Sequence, residues 1–148
     1  MRIMKNVVLG SFLAALGGVA YATGADSADM GTMIPAGEIV FEQSAPGSPV
    51  QIAKLWGDRS QGEYGMLLKI PVGFEAGLHA HTWDYHAINI QGIWVHTMAD
   101  GETKDLPAGS YVMQPGMQNH NDVCKGPWDC VIFIHQRAKG DFIPAKKQ

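Results

Sequence analysis

At 148 residues the chain has room for one domain. Its 14 acidic side chains outnumber 11 basic ones, and no basic patch is present, which argues against nucleic acid as a partner. Eighteen glycines and eight prolines argue against long helices and for short elements joined by tight turns.

Taken in chain order, residues 1–22 read as a secretory signal peptide. Arg2 and Lys5 supply the basic start, 7–20 is an uncharged and mostly apolar run, and Ala20-Tyr21-Ala22 is a small-x-small cleavage box. The run falls short of the about 20 apolar residues that span a bilayer, so cleavage before Thr23 is expected rather than an uncleaved anchor. There is no twin-arginine pair, which favours general secretion of an unfolded chain. Loss of Arg2 and Lys5 leaves nine basic against 14 acidic side chains. The expected product is periplasmic or secreted, with no membrane attachment after cleavage.

Residues 23–37 are small and polar and read as a mobile N-terminal arm, so the folded domain is expected over 38–148. The cluster Ser44-Ala-Pro-Gly-Ser-Pro49 is a turn after 39–41. Short β-like runs then recur at 50–56, 63–70, 78–81, 84–91, 93–99, 110–113 and 131–136. They are separated by Gly57-Asp58, Pro71-Val72-Gly73, Asp100-Gly101, Pro115-Gly116 and Lys139-Gly140. No window sustains a 3.6-residue apolar period. Strands at this spacing without intervening helices predict an all-β sandwich or barrel, of which the jelly roll is one solution.

Six histidines are present, and His79, His81 and His86 fall within eight residues. Side chains two apart on a strand share a face, so the imidazoles of His79 and His81 can converge on one ion. His86 could approach from the adjoining strand after a turn over 82–85, and His120, beyond Pro115-Gly116, could come from elsewhere in the barrel. His79, His81, His86 and His120 are therefore the expected metal ligands; two exposed surface histidines are the blander reading of H-x-H alone. His96 and His135 read as core or surface histidines outside the site. Gln118 shares parity with His120, and Glu75 is the only carboxylate in the loop before H-x-H. Both are candidate catalytic or hydrogen-bonding groups, and Asp84 is a further carboxylate near the ligands. Tyr111 and Met113 could line the cavity or pack the core, Tyr85 should point away from His86, and Trp83 could form the rim.

Cys124 and Cys130 flank Lys-Gly-Pro-Trp-Asp. Strands folding back at Gly126-Pro127 would bring the thiols together, and an oxidising compartment would favour a disulfide; a thiolate ligand or redox pair is the alternative.

The run from Gly73 through His79-Ala80-His81 to Gly92 resembles the first cupin motif, with His86 where the family usually has glutamate and Gly92 one residue early. The run from Gly109 through Pro115 to His120 resembles the second motif, with Gly116 one place early and Cys124 where asparagine is common. The whole also resembles small exported cupins of unassigned function that share Leu55-Trp-Gly-Asp58 and a late cysteine pair, similar in turn to the ChrR-type cupins. The resemblance implies a single cupin jelly-roll barrel and one divalent transition metal. Imidazole ligands suit zinc, copper, iron and nickel, and Fe(II) or Zn(II) is expected here. The expected activity is metal-dependent chemistry on a small oxygen-bearing molecule such as a diketone, enol or phenol, of dioxygenase, lyase or hydrolase type. A non-catalytic module that binds or senses a metabolite or metal is the alternative. The family also implies a possible homodimer through edge strands.

Overall fold

A computed structural model describes residues 31–146. The expected signal peptide over 1–22 and residues 23–30 of the expected arm lie outside the described residues. Ala36–Glu38 forms one 3-10 turn that buries nothing. No helix among the described residues is long and apolar enough to cross a membrane.

The remaining elements are strands: β1 (Glu42–Gln43), β2 (Gln51–Gly57), β3 (Tyr64–Ile70), β4 (His79–Ala80), β5 (Tyr85–Gln91), β6 (Trp94–Thr97), β7 (Thr103–Leu106), β8 (Tyr111–Gln114), β9 (Asn121–Cys124), β10 (Cys130–Gln136) and β11 (Ile143–Pro144). They form a six-stranded sheet in the order β1-β2-β3-β10-β5-β8, a three-stranded sheet β7-β6-β9 and a two-stranded ribbon β11-β4. Every pairing is antiparallel. Chain-adjacent strands therefore often belong to different sheets, and β10 sits centrally although it comes late.

Alternation decides which side chains face inward. Along β10, Cys130, Ile132, Ile134 and Gln136 are buried while the residues between them are not, as expected of a sheet with one covered face. Tyr85, Ala87 and Asn89 do the same on β5. Met66, Ile70, Ala87 and Ile132 of the large sheet share one apolar cluster with Trp94 and Cys124 of the small sheet. Burying a side chain such as Ile132 contributes roughly 1.5–3 kcal/mol.

Cys124, closing β9, and Cys130, opening β10, form a disulfide with Cα atoms 5.7 Å apart. Gly92 lies against this bridge. Its φ is +78°, and a Cβ there would stand 2.8 Å from the Trp128 carbonyl and 3.0 Å from the Cys130 sulfur. The Asp100-Gly101 turn joins β6 to β7, with Thr97 opposite Thr103.

Four strands were not read from the sequence, the first being the two-residue, exposed β1. β7 is largely exposed and charged. β9 lies in a stretch read only for His120 and Cys124. β11 has two exposed residues and owes its strand form to pairing with β4, where Ile143 faces Ala80 and Pro144 faces His79. The expected strand at 78–81 is reduced to β4 for the same reason: its partners are short segments rather than a full sheet edge.

Candidate metal centre

The site is assembled by a backbone pair. His79 and His120 lie opposite each other in an isolated antiparallel bridge, exchanging N–H···O bonds of 2.9 and 2.8 Å. Opposed residues in such a pair carry their side chains on the same face. His81, two residues beyond His79, shares that face, and the three imidazoles meet: ring centroids are 4.3 Å apart for His79–His120, 5.1 Å for His79–His81 and 5.2 Å for His81–His120. One nitrogen from each lies within 4.8 Å of the others.

The other ring nitrogens fix the orientation. His79 Nδ1 donates to the Gly77 carbonyl at 2.8 Å, His81 Nδ1 to the Asp141 carbonyl at 2.6 Å and His120 Nδ1 to the Gln118 carbonyl at 3.2 Å. A carbonyl oxygen can only accept, so each Nδ1 carries the proton and each Nε2 presents a lone pair. This tautomer, held by an outer hydrogen bond, is what a metal-ligating histidine requires. The donor set therefore fits one divalent transition metal.

Burial disfavours the charged form of two of the rings, His81 and His120. His120 is fully buried and its pKa is pushed down to about 4; burial also lowers that of His81, against the opposing effect of the Asp141 carbonyl. The hydroxyl of Tyr85 stands 3.4 Å from His120 Nε2, and burial raises its pKa well above the ordinary tyrosine value.

Below the rings lies a buried polar network. Asp122 Oδ1 accepts from Trp94 Nε1 and from His96 Nδ1, each at 2.7 Å. Gln114 Nε2 donates to the carbonyls of Pro115 and Gln118, which turns its Oε1 toward His96 Nε2 at 3.1 Å. Both nitrogens of His96 thus meet acceptors, and the ring is held between Asp122 and Gln114. Burial pushes the Asp122 pKa up, but the His96 hydrogen bond and the nearby imidazoles outweigh it and hold it below the usual carboxylate value.

The segment 139–145 closes the site from above. The Asp141 carboxylate holds Thr82 through its backbone N–H and its hydroxyl, and the Phe142 ring stacks on His79 at 4.3 Å with planes 20° apart. The imidazoles of His79 and His81 open into a cavity of about 450 Å³, bounded by Ile52, Met66, Ile70 and Ile132, with Arg59, Tyr64 and Gln136 also on its wall. Ligand pockets commonly fall within ~300–1,000 Å³.

The structure thus brings His79, His81 and His120 together, and His86 does not join them. His86 lies on the outer face of β5, its Nδ1 2.7 Å from the Tyr111 hydroxyl. The physical reason is strand parity: Tyr85 is buried, so its neighbour must face out. With Tyr85 in the acid's place of the first motif, six residues separate it from Gly92, so the motif closes without a missing residue. The second motif is corrected likewise. Met117 occupies the place of the late glycine and adopts φ +58°, while Gly116 is needed for packing: a Cβ there would stand 2.5 Å from the Thr82 carbonyl.

Gln118 and Glu75, expected as catalytic candidates, are exposed. Gln118 serves through its backbone carbonyl, and the Glu75 carboxylate accepts from Asn121 Nδ2 at 2.7 Å. Asp84 is exposed. Tyr111 and Met113 line neither cavity nor core but the outer face, at 59% and 45% exposure. His135 pairs with Glu63 at 2.8 Å, away from the site. Asp122, His96, Tyr85, Asp141 and Phe142 went unassigned to the site in the sequence. Parity signals the first, two residues beyond His120; nothing local signals the last two.

A family model described as a domain of unknown function (DUF4437) matches residues 42–126. No curated protein matches the chain. Among solved structures, KdgF from Halomonas sp. superposes with a TM-score of 0.59 at 20% identity, over 72% of this chain and 94% of that one. The polyketide cyclase RemF from Streptomyces resistomycificus gives 0.66 at 15% identity, over 80% and 88%. An RmlC-like cupin from Ralstonia eutropha gives 0.63 at 22% identity, over 79% and 74%. At these identities the likeness establishes the fold, a cupin barrel.

Proposed function

We infer, from the premise that the chain belongs to the DUF4437 family and has the cupin fold, that it is an exported metal-dependent enzyme acting on a small oxygen-bearing molecule. The observation that carries this is the convergence of three Nε2 lone pairs, with the rings of His79 and His81 on the wall of an apolar cavity. His79, His81 and His120 would hold one divalent ion, Fe(II) or Zn(II). Such an ion supplies Lewis-acid polarisation of a substrate oxygen and, with iron, a means of engaging dioxygen.

The chain's own residues do the rest. The carbonyls of Gly77, Asp141 and Gln118 hold the three rings in the ligating tautomer. Ile52, Met66, Ile70 and Ile132 give the cavity an apolar wall, and a site closed to water strengthens every electrostatic interaction within it. Tyr85 Oη keeps its proton beside His120 and is placed to donate it to a substrate oxygen. The name of RemF, a polyketide cyclase, supports diketone- and enol-bearing substrates as the first class to try. Homodimer formation through the outer face of β5 and β8 belongs to the same proposal, since Ile88, Ile90, Tyr111 and Met113 are exposed there.

The test is metal analysis by mass spectrometry on protein purified from its native compartment, followed by turnover and oxygen-uptake assays with diketones, enols and phenols. One equivalent of iron with oxygen uptake supports an oxygenase. One equivalent of zinc with product formation supports lyase or hydrolase chemistry. Stoichiometric metal without turnover of any substrate would replace the enzyme by a binding or sensing module, and absence of metal would sink the reading.

A further inference from the structure

We propose that Asp122 is the fourth protein ligand of this centre, binding through Oδ2, so that the carboxylate comes from β9 and the site is three-histidine, one-carboxylate. The inference rests on the metal reading above.

Three observations lead to it. The first is placement. Asp122 lies two residues beyond His120 on β9, so its side chain shares the face of the ligand ring. Its Oδ2 is 3.6 Å from His79 Nε2 and 3.7 Å from His120 Nε2. Four ligands held at ~2.0–2.2 Å in a tetrahedron stand about 3.3–3.6 Å apart, so these separations already approximate two edges of a coordination shell.

The second is hydrogen-bond polarity. Because Nδ1 of His79 and of His120 donates to a carbonyl, both Nε2 atoms are acceptors. Asp122 Oδ2 is an acceptor too, and no donor among the described residues reaches it. Three lone-pair-bearing atoms face one another in a buried space, and the one hydroxyl near them, that of Tyr85, reaches only His120 Nε2 at 3.4 Å. Buried polar groups in folded proteins are satisfied, and what satisfies such a group of acceptors is a cation.

The third is preorganisation. Asp122 Oδ1 is clamped by the Trp94 and His96 N–H groups, so Oδ2 cannot swing away from the rings. Where the first cupin motif usually offers a glutamate, this chain offers the phenol of Tyr85. The carboxylate missing there is present two positions beyond the last histidine.

The experiment uses the full chain freed of metal and reloaded with Zn(II) or Co(II). Asp122→Asn is expected to lose at least about tenfold in zinc affinity by chelator competition and to change the visible absorption of the cobalt form. Unchanged affinity and spectrum would overturn the proposal. Asp122→Cys separates a ligand from a residue that merely positions His96: a thiolate at this place should give a sulfur-to-cobalt charge-transfer band. A folded, cobalt-loaded variant without that band also counts against the assignment. Should neither variant fold, the unmodified protein decides. With isotope-labelled aspartate, zinc loading should shift a carboxylate stretch in the infrared difference spectrum, and no shift refutes ligation. Metal uptake by the wild type with these results negative defeats the Asp122 assignment alone. Failure of the wild type to take up either metal defeats the metal centre itself.

Discussion

The inner and outer histidines of this barrel make an instructive contrast. His79, His81 and His120 each spend one nitrogen on a backbone carbonyl and leave the other as a free lone pair in a buried cavity. His86 and His135 lie outside, where they bond to a tyrosine hydroxyl and a glutamate. A backbone carbonyl cannot donate, so it dictates the tautomer; the Tyr111 hydroxyl can donate or accept and dictates nothing. What fits an imidazole for ligation here is thus the partner behind it more than its proximity to other histidines. His96 is a third case: buried, yet with both nitrogens committed, it supports the site without joining it.

The largest expected effect separates the two faces outright. His79→Ala/His81→Ala should abolish stoichiometric metal loading, measured by mass spectrometry, whereas His86→Ala/His135→Ala should retain one equivalent. Equal loading of the two double variants would erase the distinction.

Next comes the pH dependence of the metal-free protein. In the unfolded chain His120 titrates near 6.5, and in the fold its pKa is pushed down to about 4. Between these values the unfolded state binds the proton and the folded state does not. Stability is therefore complete above about pH 6.5 and is lost as the pH falls toward 4, by at most on the order of 3 kcal/mol from this group. His81, also lowered, acts in the same direction. Denaturant titrations across this range should show the decline in the wild type and equally in His86→Ala.

A smaller effect tests the wall of the barrel rather than its centre. Cys124→Ala/Cys130→Ala should lower stability by roughly 2 kcal/mol, the loop-closure contribution of a short bridge, as read from the midpoint of urea unfolding under oxidising conditions. The smallest is His86→Ala alone. Losing a partly exposed hydrogen bond should cost about 1 kcal/mol or less, with metal affinity unchanged.

Much of this was legible in the chain. Turn residues at short intervals announced an all-β fold, and the spacings around His79, His81 and His120 pointed to three imidazoles that the fold brings together. The error at His86 was one of register. Counting four residues rather than three after H-x-H put a histidine in the inward place, although Gly92, with six residues between it and Tyr85, marked the correct parity. Asp122 could have been found by the same alternation that links His79 to His81. Asp141 and Phe142 could not, because their positions follow from the pairing of β11 with β4, and a two-residue strand carries no periodic pattern. β7 was similarly silent: its side chains face water and show no alternation, and only the Asp100-Gly101 turn hinted at a returning strand.

The late segment over the site has a consequence for the order of events in making this protein. The carbonyl that sets the His81 tautomer belongs to a residue 60 positions downstream, and the ring that covers His79 is next to it. A nascent chain carrying all three histidines would still lack that carbonyl and that cover until synthesis had passed residue 145 and β11 had docked. Capture of an ion at these rings would therefore be a terminal step of maturation, and stalled or proteolysed fragments would be poor competitors for it.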